Sequence, residues 1–180
     1  FSEPFDVRLE PKKLTTDLCG KYRPGHFLAV MDIVHRFLQI IKPKNILLGK
    51  KDYQQVVVVK ELIKIYNYNI EVITSNTIRN KDGLALSSRN NLLSMKELKS
   101  ATEIHEALIL AYSLYHKNIS IDEITRHINE LFIKSTIKLE YFAIRDLKTL
   151  QHSNDNDLIA LIAGYLGEVR LIDNIIIQSR

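Results

Sequence analysis

Only one of the 180 residues is a cysteine, Cys19. A lone thiol closes no internal disulfide and supplies no paired cysteines for zinc, which points to a reducing, cytoplasmic setting. Cys19 itself reads as a packing residue. Proline and glycine are sparse, at four and six, and there is no internal repeat or low-complexity tract, so disorder and fibrous architectures are excluded. Long apolar runs are missing as well. The longest, "VVVV" at Val56 to Val59 and "LIALIAGYL" at Leu158 to Leu166, fall far short of the roughly 20 residues of a membrane helix, so no membrane partner is expected. The opening "FSEPFDVRLEPKK" has no basic start leading into an apolar stretch, so it does not read as a signal peptide. It also lacks an initiating methionine, and the expectation is a chain whose beginning has been cut off. The formal charge is +4, but 25 basic residues are scattered among 21 acidic ones. With no basic block and no recognisable module, no nucleic-acid partner is expected. Six histidines show no HxH or HxxxH pair, so no metal site is expected in this chain.

What remains is a globular composition, 46% hydrophobic and 26% charged, long enough for a sizeable core. From His26 to Ile41 the residues Phe27, Val30, Met31, Val34, Phe37, Leu38 and Ile41 recur at helical spacing, between "RPG" and Pro43. "NILLG" (Asn45 to Gly49) reads as a strand, "YQQVVVVKELIKIYN" as a helix and "IEVIT" (Ile70 to Thr74) as a second strand. That order makes a βαβ unit with parallel strands. Further on, Ser94 with Glu97 resembles a capping box opening a helix to about His116, and a second helix is expected from Ile121 to Lys134. Three strand-like runs follow, "IKLEYFAIRD", "DLIALIAGYL" and "VRLIDNIII", the last two joined by a turn at Gly167-Glu168. The expected class is α/β, with domains at 1–77 and 78–180, the second a small α+β domain of two helices on a three-stranded antiparallel sheet.

Two polar segments interrupt this pattern. "GKKDYQQ" (Gly49 to Gln55) follows a strand and opens a helix, where ligands of open parallel sheets bind. Gly49 allows close backbone approach, Lys51 offers an ammonium and the helix N-terminus offers N–H groups to an anion. The competing reading is local: Asp52 as N-cap with Gln55 three residues on, close to a capping box. No GxxxxGK[ST] P-loop occurs. "KDGLALSSRN" (Lys81 to Asn90) brings two hydroxyls and a guanidinium, suited to phosphate oxygens, although such a loop also serves as a solvated linker. Ser87 and Ser88 lack the GxSxG context of a nucleophile. Asp122 and Glu123 read as solvated helix surface.

With "RPGHF", "GKKDYQQ", "KDGLALSSRN" and "VRLIDN" in this order and at these separations, essentially the whole chain resembles the pantothenate synthetase (pantoate–β-alanine ligase) family of the nucleotidylyltransferase superfamily. The resemblance implies a Rossmann-like nucleotide-binding domain, of which residues 1–77 are the second half. It implies the ATP-dependent joining of pantoate and β-alanine through a pantoyl adenylate, with release of pyrophosphate and then AMP. It places ATP against Gly49, Lys50, Lys51, Asp52, Ile78, Leu86, Ser87, Ser88 and Arg89, with pantoate at Gln55. The catalytic roles fall to Lys51, Ser87, Ser88 and Arg89. Its partners are ATP, pantoate and β-alanine, with Mg²⁺ held elsewhere, and its complete members are homodimers. The family carries glutamate where Lys50 stands; if that glutamate orients the next lysine, Lys51 is held less firmly here. The family also has an upstream part with an HxGH motif, a pantoate-binding glutamine and the acidic magnesium contact, so this chain is expected to be a C-terminal portion, inactive alone. The alternatives are another adenylate-forming nucleotidylyltransferase or a basic, nonenzymatic interaction domain.

Overall fold

The computed structural model describes residues 9–153 and 157–178. Residues 1–8, which carry most of the segment read as lacking signal-peptide character, lie outside that range. The protein is mixed α/β, with one two-stranded parallel sheet and one three-stranded antiparallel sheet, and it divides into two compact units between Asn76 and Thr77.

The first unit opens with two short helices, α1 (Lys12–Thr15) and α2 (Cys19–Tyr22), followed by the long α3 (His26–Ile41). α3 has the bounds its apolar period predicts. It starts after Gly25, at φ 77°, and ends at Lys42, at φ 49°, whose N–H closes on the Leu38 carbonyl just before Pro43. Strand β1 (Asn45–Gly49), helix α4 (Tyr53–Ile65) and strand β2 (Glu71–Ser75) form the expected βαβ unit. β1 and β2 are parallel, with Leu47 opposite Ile73. The valine run lies in the helix, where Val56 to Val59 are all buried. A β-branched run carries only a weak helix penalty, and burial outweighs it.

Gln54, on α4, is also buried. Its amide nitrogen donates to the carbonyls of Leu14 (2.8 Å) and Asp17 (2.9 Å), and its oxygen accepts from the Cys19 N–H (3.0 Å). One side chain thereby satisfies three backbone groups of the α1–α2 segment, whose helices are too short to satisfy their own ends.

In the second unit, α5 (Met95–Ser100), α6 (Glu103–His116) and α7 (Ile121–Ile133) precede β3 (Ile137–Asp146), β4 (Leu158–Leu166) and β5 (Val169–Gln178), which pair antiparallel in that order. The β4–β5 turn is Gly167-Glu168, with Gly167 at φ 57°. α6 and α7 pack on the sheet, and Ile104, Leu108, Ile124 and Ile128 meet Ile144, Leu158 and Ile162 in one core. The single helix expected from Ser94 to His116 is in fact two. At Ala101 and Thr102 the backbone tightens to bonds three residues apart, and the Thr102 hydroxyl donates to the Lys99 carbonyl (2.8 Å). A hydroxyl that bonds back to the helix competes with the regular ladder. The box that opens α5 is present in both directions, Glu97 N–H to Ser94 Oγ and Ser94 N–H to the Glu97 carboxylate.

Candidate functional site

The two polar segments fall one in each unit. In the first, Gly49 ends β1, and Lys50, Lys51 and Asp52 form a 3-10 turn that leads directly into α4. The Asp52 side chain makes no capping bond. The capping reading of Asp52 and Gln55 is therefore not how α4 begins, because the tight turn carries the chain into the helix with Asp52 at ψ 56°. Gly49 itself is extended, at φ −78°, and a Cβ there would meet only Ser75 Oγ at 4.0 Å. Nothing within the unit demands glycine at this position. Lys50 donates to the Asn76 side chain (2.9 Å), tying the turn to the chain just after β2. Lys51 is half-buried in the turn, and Gln55 is half-buried in the first turn of α4.

In the second unit the segment from Ile78 to Asn90 is an ordered loop rather than a solvated linker. Its two limbs pair, with the Leu86 N–H on the Ile78 carbonyl (2.9 Å) and an antiparallel bridge between Arg79 and Ala85. Asn80 closes the tip by accepting from the N–H groups of Asp82 and Leu84. Leu84 and Ala85 are buried, and Leu84 belongs to the core of this unit. Gly83 has φ 87°, and a Cβ there would lie 2.4 Å from the His105 ring, so both backbone and space require glycine. Burial and the Arg79 charge hold the His105 imidazole below its ordinary pKa, against the opposing pull of Asp173 and Glu106.

These anchors fix the root of the loop and leave its polar end outward. Ser88 and Arg89 are exposed. Ser87 Oγ accepts from the Arg89 N–H (3.3 Å) and caps the 3-10 turn Ser88–Leu92. The Arg89 guanidinium reaches the Arg170 carbonyl at 3.4 Å, and Asn90 holds the Ala85 carbonyl (3.1 Å). Ile78 and Leu86 stand side by side, both exposed. The fold thus gathers Gly49, Lys50, Lys51, Asp52 and Gln55 in one turn and Ile78 with Leu86 to Arg89 in one loop.

Several residues around these segments escaped the sequence reading. Gln54 offers a usable signal, a polar residue four positions before Val58 on the buried stripe of α4. Arg79 and His105 offer none, because each takes its meaning from residues far along the chain, and Asp173 is visible only as part of "VRLIDN", with no role of its own. Among the described residues no group of three histidine, cysteine, aspartate or glutamate side chains could hold a metal ion. No helix there is long and apolar enough to cross a membrane.

The first segment presents two ammonium groups at the start of a helix and the second a guanidinium with two hydroxyls, groups suited to phosphorylated ligands. A family model for pantoate-beta-alanine ligase matches residues 2–176, and the chain belongs to that family. It is 35% identical to the pantothenate synthetase of Caldicellulosiruptor bescii, over 100% of this chain and 65% of that protein. Among solved structures, the pantoate-beta-alanine ligase (pantothenate synthetase) of Thermus thermophilus superposes with TM-score 0.88 at 34% identity, over 93% of this chain and 62% of that one. The pantoate-beta-alanine ligase of Francisella tularensis, complexed with beta-gamma ATP and beta-alanine, superposes with TM-score 0.69 at 35% identity, over 99% of this chain and 58% of that one. The chain therefore spans less than two-thirds of the length of these relatives.

Proposed function

We propose that the intact protein joins pantoate to β-alanine at the expense of ATP. In the first step a pantoate carboxylate oxygen attacks the α-phosphorus; the bond from the α-phosphorus to the bridging oxygen breaks, and pyrophosphate leaves. In the second, the β-alanine amine attacks the acyl carbon, loses a proton and displaces AMP. Negative charge builds on the α-phosphate and on the departing pyrophosphate, so fixed cations and hydrogen-bond donors are the effective tools. Lys51 supplies an ammonium beside the α4 N-terminus, where unpaired N–H groups favour an anion. Leu86 to Arg89 wrap the phosphates, with two hydroxyls and a guanidinium from Ser87, Ser88 and Arg89, while the Ile78 backbone meets the adenine and Gln55 holds pantoate. Lys50 and Asp52 complete the nucleotide side.

Mg²⁺ enters with ATP as part of the substrate. Asp52, a single carboxylate next to two lysines, is a poor donor set for a divalent ion, so the part of this chain is to meet the phosphates with cations and hydrogen-bond donors. The reading carries with it a cytoplasmic homodimer with no nucleic-acid or membrane partner.

The observation that carries the proposal is the loop. Its root is pinned by Leu84, Asn80 and Arg79 while Ser88 and Arg89 remain exposed, an expensive arrangement for a mere linker but a suitable one for preorganised donors. Arg89→Ala in the intact protein should lower single-turnover formation of pantoyl adenylate by about 10²–10³, the usual loss for one preorganised donor. A rate within twofold of wild type would return the loop to linker status. Thermal shifts with ATP–Mg²⁺, pantoate and RNA separate the reading from its rivals, since stabilisation by RNA alone would point to an interaction domain.

A further inference from the structure

The segment "VRLIDN" opens β5 but takes no part in the chemistry above. Its Asp173 is 4% exposed and accepts both prongs of the Arg79 guanidinium, at 2.5 and 3.0 Å. The same guanidinium donates to the Gly83 carbonyl at 3.0 Å. Arg79 sits on one limb of the loop and Gly83 at its tip, so a single group attached to β5 fixes both. Asp173 is itself oriented, since its Oδ1 also accepts the Asn174 N–H (2.8 Å). Three residues earlier on the strand, the Arg170 carbonyl receives Arg89, and the Arg170 guanidinium is held by Glu140 of β3 (2.9 Å from Nε). β5 therefore touches the loop at its root and at its polar end.

A buried ion pair is weak as a stabilising device, because desolvation offsets much of the attraction and apolar residues of similar size stabilise as well or better. What a bidentate pair adds is orientation. From this geometry we infer that Arg79 and Asp173 are positioning residues for the reaction: they set where Ser87, Ser88 and Arg89 stand, and β5 is the rigid element against which that loop is aligned. The inference rests on the reading of these three residues as phosphate ligands.

The test is Asp173→Asn in the intact protein, with Arg79→Lys as the second variant. Asparagine keeps the shape and one acceptor but loses the two-pronged pairing; lysine keeps the charge and loses the fork. Both should lower single-turnover adenylation by about 10- to 100-fold, the scale of a small misplacement of catalytic groups. The KM for pantoate, which is read at Gln55 in the other unit, should stay within twofold. Hydrogen exchange at the Leu84, Leu86 and Arg89 amides should quicken more than at the α6 amides. An adenylation rate within twofold of wild type with unchanged loop protection overturns the inference. So does a rate that falls only together with the melting temperature and pantoate binding, the signature of a purely structural pair. If Asp173→Asn does not fold, Arg79→Lys is judged by the same outcomes. If the wild-type protein forms no adenylate, the proposed function falls, and the exchange measurement still decides whether the pair orders the loop.

Discussion

The two units handle their apolar residues differently. In the second, a three-stranded antiparallel sheet buries one face under α6 and α7, and most of its large side chains enter one core. In the first, Leu47 and Ile73 stand opposite each other on the parallel pair and are 68% and 43% exposed, and Ile40 and Ile41 at the end of α3 are more than half exposed. Antiparallel strands joined by a short turn complete their own layer from neighbouring sequence. Parallel strands need crossover elements on both faces before their apolar side chains are covered. A domain built mainly from local pairings can thus close within about 100 residues, whereas the first unit, 68 described residues around one βαβ crossover, leaves a surface suited to further packing.

The most severe way to break this comparison is to separate the units. Residues 77–180 alone should be monodisperse on size exclusion and melt in a single cooperative transition. Residues 1–76 alone should show no cooperative melt, because their cover is too thin to offset the entropy of ordering. A cooperative transition in the shorter piece would show that its exposed apolar face is harmless, and the contrast between the units would fail.

Point substitutions sharpen the same contrast. Ile162 on β4 is fully buried and lies in the core, so Ile162→Ala in the 180-residue chain should cost about 2–5 kcal/mol in denaturant unfolding. Leu47→Ala, in the exposed face, should stay within about 0.5 kcal/mol. A loss of several kcal/mol at Leu47 would mean that the face is covered in solution, for instance by a second copy, and a concentration-dependent midpoint would reveal it.

How much of this was legible in the sequence follows the same divide between local and distant. The bounds of α3 were readable because Gly25 and Pro43 act within one turn of its ends, and the Ser94–Glu97 box because both partners lie three residues apart. The antiparallel order β3-β4-β5 followed from apolar runs and a Gly-containing turn. At Asp52 the competing capping alternative could not be settled from sequence, because its pattern is shared by N-caps and by tight turns, which only the backbone path distinguishes. The break at Ala101 and Thr102 lacks glycine or proline and arises from one threonine hydroxyl choosing the Lys99 carbonyl. For the site, Lys51, Ser87, Ser88 and Arg89 stood out as polar interruptions of an apolar pattern, whereas Ile78 and Leu86 came only from the family resemblance. The pairings that order the chain around them were not legible: Gln54 bonds residues 35 to 40 positions away in the α1–α2 segment, and Arg79 and Asp173 lie 94 positions apart, although "VRLIDN" itself was visible as a motif.

The smallest expected effect compares one histidine in each unit under mild acid. His105 is held below its ordinary pKa by burial and then by the Arg79 charge, with Asp173 and Glu106 pulling the other way. His35, whose ring lies 4.0 Å from that of Tyr66 and which meets the Tyr68 hydroxyl at 3.1 Å, is lowered by burial and then by Arg36, against Asp32. For both, the unfolded chain binds a proton more readily than the folded one. Well above the ordinary imidazole value of about 6.5 the rings are neutral in both states and carry no penalty. As the pH falls below that value toward the lowered folded-state pKa, the unfolded state takes up protons first and stability declines. The melting temperature of the intact protein should therefore drop between pH 7.5 and 5.5. His105→Gln and His35→Gln should each flatten the slope. Asp173→Asn should steepen it, because removing the carboxylate deletes the pull that keeps the His105 pKa from falling further. An unchanged slope in His105→Gln would show that the imidazole is free to take its proton in the folded loop, and that Gly83 and Arg79 leave it more room than their packing indicates.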